Sequence, residues 1–408
     1  MIKVRQHFDR TLIADVGSAL RTALSQCPAL KEIRKGHRVA ITAGSRGISN
    51  IVEVLQTLVQ VVRENGAEPF IIPTMGSHGG ATDKGQLAVL ASLGITEESM
   101  GAPIRSSMET VTVSVTLDGI PVCLDRLAAL EADATIVVNR VKAHTSFRGL
   151  YESGLAKMIA IGLGKQQGAE ACHATGLGKM SKRIEMIAKS ALANSNIVMG
   201  IALVENAYDE TCHVEALAAA DIMTNEPRLL DMANVNMPRI LLSHFDVLIV
   251  DEMGKNISGT GMDANILGRF TSDGIVDKRY MQRIAVLDLT EESHGNGHGM
   301  GLADVCTRRL FEKLDLEQTY PNPLTARVPL SAKIPMIMKN DLQAIQAAIK
   351  TCWDVPEETV RMVRIKNTLQ MEEILVSESL LSEVENHPQM EIVEYAKPMA
   401  FDGGGNLF

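Results

Sequence analysis

Aromatic side chains are scarce in this 408-residue chain: they make up 3% of it, with a single tryptophan. Single-stranded nucleic acid is held on rows of stacked aromatics along a basic groove, and duplexes need a basic stripe. Neither is visible, and the net charge of −9 repels phosphate backbones, so nucleic acid is excluded as a partner. Long apolar runs are missing as well. No stretch approaches the roughly 18 apolar residues of a membrane span, so no membrane partner is expected. The stretch from Met1 to Gly17 carries charges every few residues and no apolar core, which argues against a signal peptide. The six cysteines (Cys27, Cys123, Cys172, Cys212, Cys306, Cys352) show no CxxC spacing. Such scattering suits reduced thiols better than a disulfide framework, and a cytoplasmic enzyme is the expectation.

What is plentiful is glycine (32 residues) and aliphatic carbon within a 46% hydrophobic composition. Those proportions suit tightly turned α/β layers, and the length suits two or three domains. The strand His37–Ile41 ends at Ala43-Gly44-Ser45-Arg46-Gly47, and an apolar-periodic helix follows from Ser49, with Gly66 where its C-cap is expected. A second strand, Glu68–Thr74, runs into Met75-Gly76-Ser77-His78-Gly79-Gly80-Ala81-Thr82. This β-α-β unit predicts a parallel sheet with a right-handed crossover. Asp118-Gly119 marks a hairpin between Val111–Leu117 and Ile120–Leu124, and a strand Ala134–Lys142 delivers its carboxyl end to His144. Glu152–Leu163 is expected to be partly helical, with a break at Gly162–Lys165, and Ile184–Ala193 to be a helix. After Asn225-Glu226-Pro227 a helical connector leads to a new strand, Phe245–Met253, and the glycine-rich loop Gly254–Asn265. Ile284–Thr290 leads into a second such loop, His294–Gly301, and Asp341–Cys352 is a helix. The expected fold is therefore two α/β domains, residues 1–235 and 236–408, with the active-site cleft between them.

The stretch Lys142–Ala174 concentrates the chemistry: His144, Lys157 and His173 among repeated glycines. Ligands of open α/β sheets bind beyond the carboxyl ends of strands, where the Arg46, His78 and His144 turns all lie. Histidine exchanges protons near neutrality, yet a loop histidine is most often a surface residue. Lys157 sits in an apolar run, where a lysine either snorkels to water or is desolvated into a usable nucleophile. Arg46 and Lys255 occupy glycine-bearing turns that suit anion capture, with solvated surface charge as the bland reading. Cys172-His173 and Cys212-His213 lack the four-ligand spacing of a zinc site, and the two GLGK repeats lack P-loop spacing.

Taken together, GSRG, PTMGSHGGAT and KAHTSFRG…ESGLAKM…GLGKQQGAEACH resemble the nickel-dependent lactate racemase family, as a divergent homologue. The likeness runs through the first domain and more weakly into the second, at FDVLIVDEMGKN and MDAN. Its most specific element is the sixteen-residue step from Lys157 to His173. The resemblance implies a nickel pincer nucleotide, a pyridinium-derived mononucleotide, covalently attached at Lys157 with His173 as the protein's ligand to nickel. Gly76, Ser77 and Arg46 would contact the cofactor. His78 and His144 would be the acid/base pair on opposite faces of the substrate, and Arg46 would bind its carboxylate. Lys255 or Arg269 would stand in for the substrate lysine of the C-terminal domain. Implied too is hydride transfer from the α-carbon of a 2-hydroxy acid while a histidine takes the hydroxyl proton. Ala43 three residues before Arg46, and the thirteen residues from His144 to Lys157, depart from the family around the substrate, directing it towards an acid larger or more polar than lactate. The expected partners are that small acid and the proteins that build the cofactor, with a homo-oligomer left open. Two readings of other classes stand beside this one: a non-catalytic nucleotide- or pincer-binding protein, and a zinc-dependent hydrolase or lyase using His144, Cys172 and His173.

Overall fold

The computed structural model of the protein describes all residues except 46, 272–274, 276–279 and 408. The chain forms two compact units: Arg10–Met237, and Met1–Asp9 together with Pro238–Phe408. The first strand, β1 (Ile2–Gln6), corrects the expectation that the N-terminus belongs to the first domain. Its alternating pattern buries Ile2 and Val4 in the core of the Pro238–Phe408 unit, where it pairs antiparallel with Glu373–Val376 and Met390–Glu394. A short amphipathic strand is placed by the sheet that accepts its apolar face, not by proximity along the chain.

In the unit Arg10–Met237, β2 (Arg38–Ala43) and β3 (Glu68–Pro73) are parallel and flank the helix Ile51–Glu64. Both strands are buried on both faces beyond their first residue, as parallel strands covered by helices are. The helix seals one face with Val54, Leu55, Leu58 and Val62, and truncating Leu58 to alanine should cost about 2–5 kcal/mol. It ends on Gly66, whose φ of +74 is the left-handed C′ position that glycine accepts without strain. The hairpin of β4 (Thr110–Val115) and β5 (Pro121–Asp125) stands apart as a two-stranded ribbon. Next come β6 (Ala134–Arg140), β7 (Ile197–Glu205) and β8 (Thr211–Ala218), giving the sheet order β3-β2-β6-β7-β8 with only β8 antiparallel. The sequence reading assigns no element to β7 and β8, because β7 is a continuous apolar run without the alternation that marks a half-exposed strand.

The helical connector expected after Asn225-Glu226-Pro227 begins earlier, because one helix runs through Pro227 from Ala219 to Asn236. The proline removes the N–H that would reach the carbonyl of Met223, and the Tyr151 hydroxyl donates to that carbonyl instead, at 2.7 Å.

In the other unit, β9 (Val247–Met253), β10 (Arg283–Leu289), β11 (Val305–Thr307), β12 (Met336–Met338) and β13 (Met362–Ile365) run parallel. With β14 (Glu373–Val376), β1 and β15 (Met390–Glu394) added antiparallel, the order is β12-β11-β10-β9-β13-β14-β1-β15. Among the described residues no helix is long and apolar enough to cross a membrane.

Candidate active site

The strand order of the unit Arg10–Met237 reverses direction between β2 and β6, since the chain steps from β2 out to β3 and then returns to β6 on the other side. A crevice outside the carboxyl ends of those strands is where open α/β sheets bind ligands. Three loops leave from there: Gly44–Ser45 after β2, Thr74–His78 after β3, and Val141–His144 after β6.

The segment carrying Lys157 and His173 lies against these strand ends. One helical turn, Leu155–Lys157, widens into a π-helical stretch, Met158–Leu163, followed by the helix Lys165–His173. Such widened turns recur at functional sites. Gly162 makes the approach possible, because a Cβ there would lie 2.9 Å from the Thr74 carbonyl and 2.4 Å from Met158 Sδ. Gly76, at a φ of +61, faces Ile161, where a Cβ would meet Cγ2 at 3.2 Å. The glycines of the His78 loop thus serve backbone geometry and packing. Lys157, part-buried, marks the junction of the two helix types, and His173 is the last residue of its helix.

His144 is held from several sides. Its ring stacks on Phe147 with centroids 4.1 Å apart, and its Nδ1 accepts the Ser146 backbone N–H at 3.0 Å. Its own backbone N–H donates to Glu152 Oε2 at 2.7 Å, and the other oxygen of that buried carboxylate accepts the Gly149 N–H at 3.1 Å. Desolvation of the ring, and then the positive charges of Lys157, Lys142, His173 and Arg148, push His144 well below its ordinary pKa. The structure therefore brings His144, Lys157 and His173 together and adds Lys142 and Arg148 to them. Since an amide can only donate, neutral His144 carries its proton on Nε2. In that form it donates a hydrogen bond and is a poor base.

His78 differs. It is exposed, and its Nδ1 lies 2.5 Å from Ser45 Oγ, a hydroxyl that can donate or accept. With Nδ1–H donated to Ser45, Nε2 is left as a proton acceptor. Ser77 is part-buried beside it. Arg46 lies outside the described residues.

The other candidates fall elsewhere. Arg269 donates to Asp304 Oδ2 at 2.7 Å and to the carbonyls of Leu302 and Gln282, so its guanidinium is a bridge within the Pro238–Phe408 unit. Lys255, in the same unit, donates to the Gly259 carbonyl at 2.7 Å. His298 is buried with Nδ1 3.2 Å from Ser331 Oγ. The Cys172 thiol is buried and pushed up to about 12 by desolvation, which leaves it protonated at neutral pH. His213 bonds Glu215 at 2.9 Å. Among the described residues no three of His, Cys, Asp and Glu gather as a metal cage.

Sequence reasoning passed over two buried groups that shape the site. Glu226 Oε2 accepts the Ala156 N–H at 2.8 Å, capping the turn that carries Lys157, and burial pushes its carboxyl up to about 7. Lys165, read from the sequence as part of a break, is fully buried. The available signals were a glutamate before a proline that fails to end a helix, and a lysine flanked by Gly164 and Gly168.

Residues 42–235 match a family described as a domain of unknown function (DUF362). Among curated protein sequences none matches. The lactate racemase apoprotein from Thermoanaerobacterium thermosaccharolyticum is similar in structure, with a TM-score of 0.58 over 91% of this chain and 99% of that one, at 13% identity. A protein from Thermotoga maritima superposes over 69% of this chain and 71% of its own, with a TM-score of 0.49 and 13% identity. The chain has a lactate racemase-like α/β fold.

Proposed function

We propose that this chain is a racemase or epimerase acting at the α-carbon of a 2-hydroxy acid, with a nickel pincer nucleotide tethered at Lys157 and ligated by His173. The observation that carries the reading is the gathering of Lys157, Lys142, His173 and Arg148 around the half-buried imidazole of His144, which stacks on Phe147. The donor set fits such a group. One amine and one imidazole suffice for a metal that arrives on its own organic ligand, and no all-protein cage is required. When bound, the cofactor would supply a hydride acceptor for the α-carbon.

The chain's own residues do the rest. Lys142 and Arg148 raise the local concentration of an anionic substrate. Arg46 would bind its carboxylate, and Gly76 and Ser77 would border the cofactor. His78, through Nε2, takes and returns the hydroxyl proton, with the Ser45 hydroxyl adjusting its own hydrogen to either state. His144 donates from Nε2 to a substrate oxygen, and an arriving anion offsets the surrounding cations that hold its pKa down. The six free thiols suit a cytoplasmic setting.

The test is incubation of cofactor-loaded protein with a panel of 2-hydroxy acids in deuterated water. Exchange of enantiomers with little deuterium at the α-carbon is expected, and stoichiometric solvent deuterium there would replace hydride transfer with simple deprotonation. A Lys157 adduct without exchange of any acid would instead identify a cofactor-binding protein.

A further inference from the structure

Lys165 combines two costly features in one residue. Its side chain is fully buried, and its φ of +52 puts a non-glycine residue in the left-handed region. An apolar residue of similar volume would fill the same space without desolvating a charge. Some interaction of the ammonium must therefore require it at this point.

Its partners show which. Lys165 Nζ donates to the Pro73 carbonyl at 2.5 Å and to Gln86 Oε1 at 3.3 Å. It also lies 2.9 Å from Asp125 Oδ2, as an ion pair without hydrogen-bond alignment. Asp125, likewise buried, accepts the N–H groups of Leu127 and Ala128 on its other oxygen, at 2.7 and 3.2 Å. Gln86 carries the chain onward: its amide nitrogen donates to the Gly76 carbonyl at 3.0 Å and the His78 carbonyl at 3.3 Å. One buried cation thus ties the end of β3, the end of β5 and, through Gln86, the loop that bears His78. By sequence it stands midway between Lys157 and His173, eight residues from each.

We propose that Lys165 is a positioning residue, whose ammonium, through Pro73 and Gln86, holds the His78 loop in register with the Lys157–His173 segment. The proposal rests on the reading that His78 and that segment serve one reaction. Lys165 touches no substrate in it. A misplacement of the order of 1 Å far from the reacting atoms is enough to cost about a hundredfold in rate, so a braced loop has a catalytic reason to exist.

Two variants of the full chain test it. Lys165→Met removes the cation, and Gln86→Leu cuts the link to the loop while leaving the Lys165–Asp125 pair in place. In uniformly loaded protein, Gln86→Leu is expected to lower kcat about 10–100-fold with KM changed less than about threefold, and to leave the Lys157 adduct intact. Independently of activity, the ring carbon and nitrogen resonances of His78, observed in histidine-labelled protein, should move in both variants, whereas those of His213 should not. Should Lys165→Met fail to fold, Gln86→Leu still decides the matter. Unmoved His78 resonances in the folded variants would overturn the proposal, whatever the protein catalyses. Absence of exchange in the wild type, with His78 displaced by Gln86→Leu, would overturn the reaction and leave the brace standing.

Discussion

Ion pairs stand near the strand ends of both units, Arg140 with Glu205 in the unit Arg10–Met237 among them, and the surroundings of His144 are where the two units differ. In the unit Pro238–Phe408, cations meet carboxylates: Lys313 bridges Asp288 and Glu291 at 3.0 and 2.9 Å, Arg309 bridges Asp288 and Asp341, and Arg364 pairs with Asp251 at 2.7 Å. In the unit Arg10–Met237, Lys157, Lys142, His173 and Arg148 all oppose protonation of His144, with the Glu152 carboxylate beside them on the His144 backbone N–H and 3.5 Å from Arg148. Alternating charges satisfy one another and add modestly to stability. Like charges converging on a desolvated ring raise the energy of the empty site and lower it again when an anion enters. Buried carboxyls are ion-paired in both units, Asp125 with Lys165 and Asp341 with Arg309, and Glu226 departs from both. Asp341 is 3.0 Å from Arg309, whereas Glu226 is held by backbone amides and has been pushed up to about 7.

The contrast can be broken in several places. The largest effects belong to the residues at its centre. Lys157→Ala should abolish both the mass increase of the loaded protein and all exchange, and His78→Ala should lower kcat by on the order of 10²–10⁴-fold, the range for a positioned proton-transfer group. His144→Gln, which keeps a hydrogen-bond donor, should lose less than His78→Gln, because neutral His144 serves first as a donor. Equal losses in steady-state kinetics would erase the asymmetry read from Ser146 and Ser45.

Glu226 comes next. Its folded carboxyl at about 7 stands above the unfolded value of 4.5, so the folded protein keeps a proton that the unfolded chain releases between those values. Stability therefore falls as pH rises from 4.5 to about 7 and changes little beyond. Relative to Glu226→Gln, the wild type should lose up to about 3 kcal/mol over that window, an upper bound measured from denaturant midpoints at pH 5 and pH 8. A difference independent of pH would show the carboxyl to be ionised throughout.

Smaller effects test the charge pattern itself. Lys142→Met should weaken binding of an anionic substrate about fivefold, about 1 kcal/mol, with the loss shrinking at high salt. Lys313→Met, in the unit of alternating charge, should cost at most about 1 kcal/mol in unfolding free energy and leave substrate affinity unchanged. An affinity loss there as large as that of Lys142→Met would show that the two patterns do not differ in function.

Much of the scaffold was legible in the residues. The Arg38–Ala43 and Glu68–Pro73 strands, the helix between them and its Gly66 terminus follow from apolar period and turn chemistry. So does the hairpin about Asp118-Gly119. Convergence of His144, Lys157 and His173 was suggested by their proximity in sequence and by strand ends. What escaped were elements whose local signal is ambiguous or contradicted. The run Ile197–Glu205 is buried on both faces and shows no alternation, and Pro227 breaks a helix on any local rule until Tyr151 supplies the missing donor.

The sequence by itself determined the local elements and the chemistry carried at each strand end, because backbone propensity and apolar periodicity act over a few residues. Only the tertiary structure decided the state of that chemistry. His144 became a neutral donor through Ser146 and the cations about it, and β1 joined a sheet whose other strands lie hundreds of residues away. Lys165 became a brace through Pro73 and Gln86, 92 and 79 residues from it in sequence. Burial of a charge depends on atoms brought together from distant parts of the chain, and no local pattern records which atoms those will be.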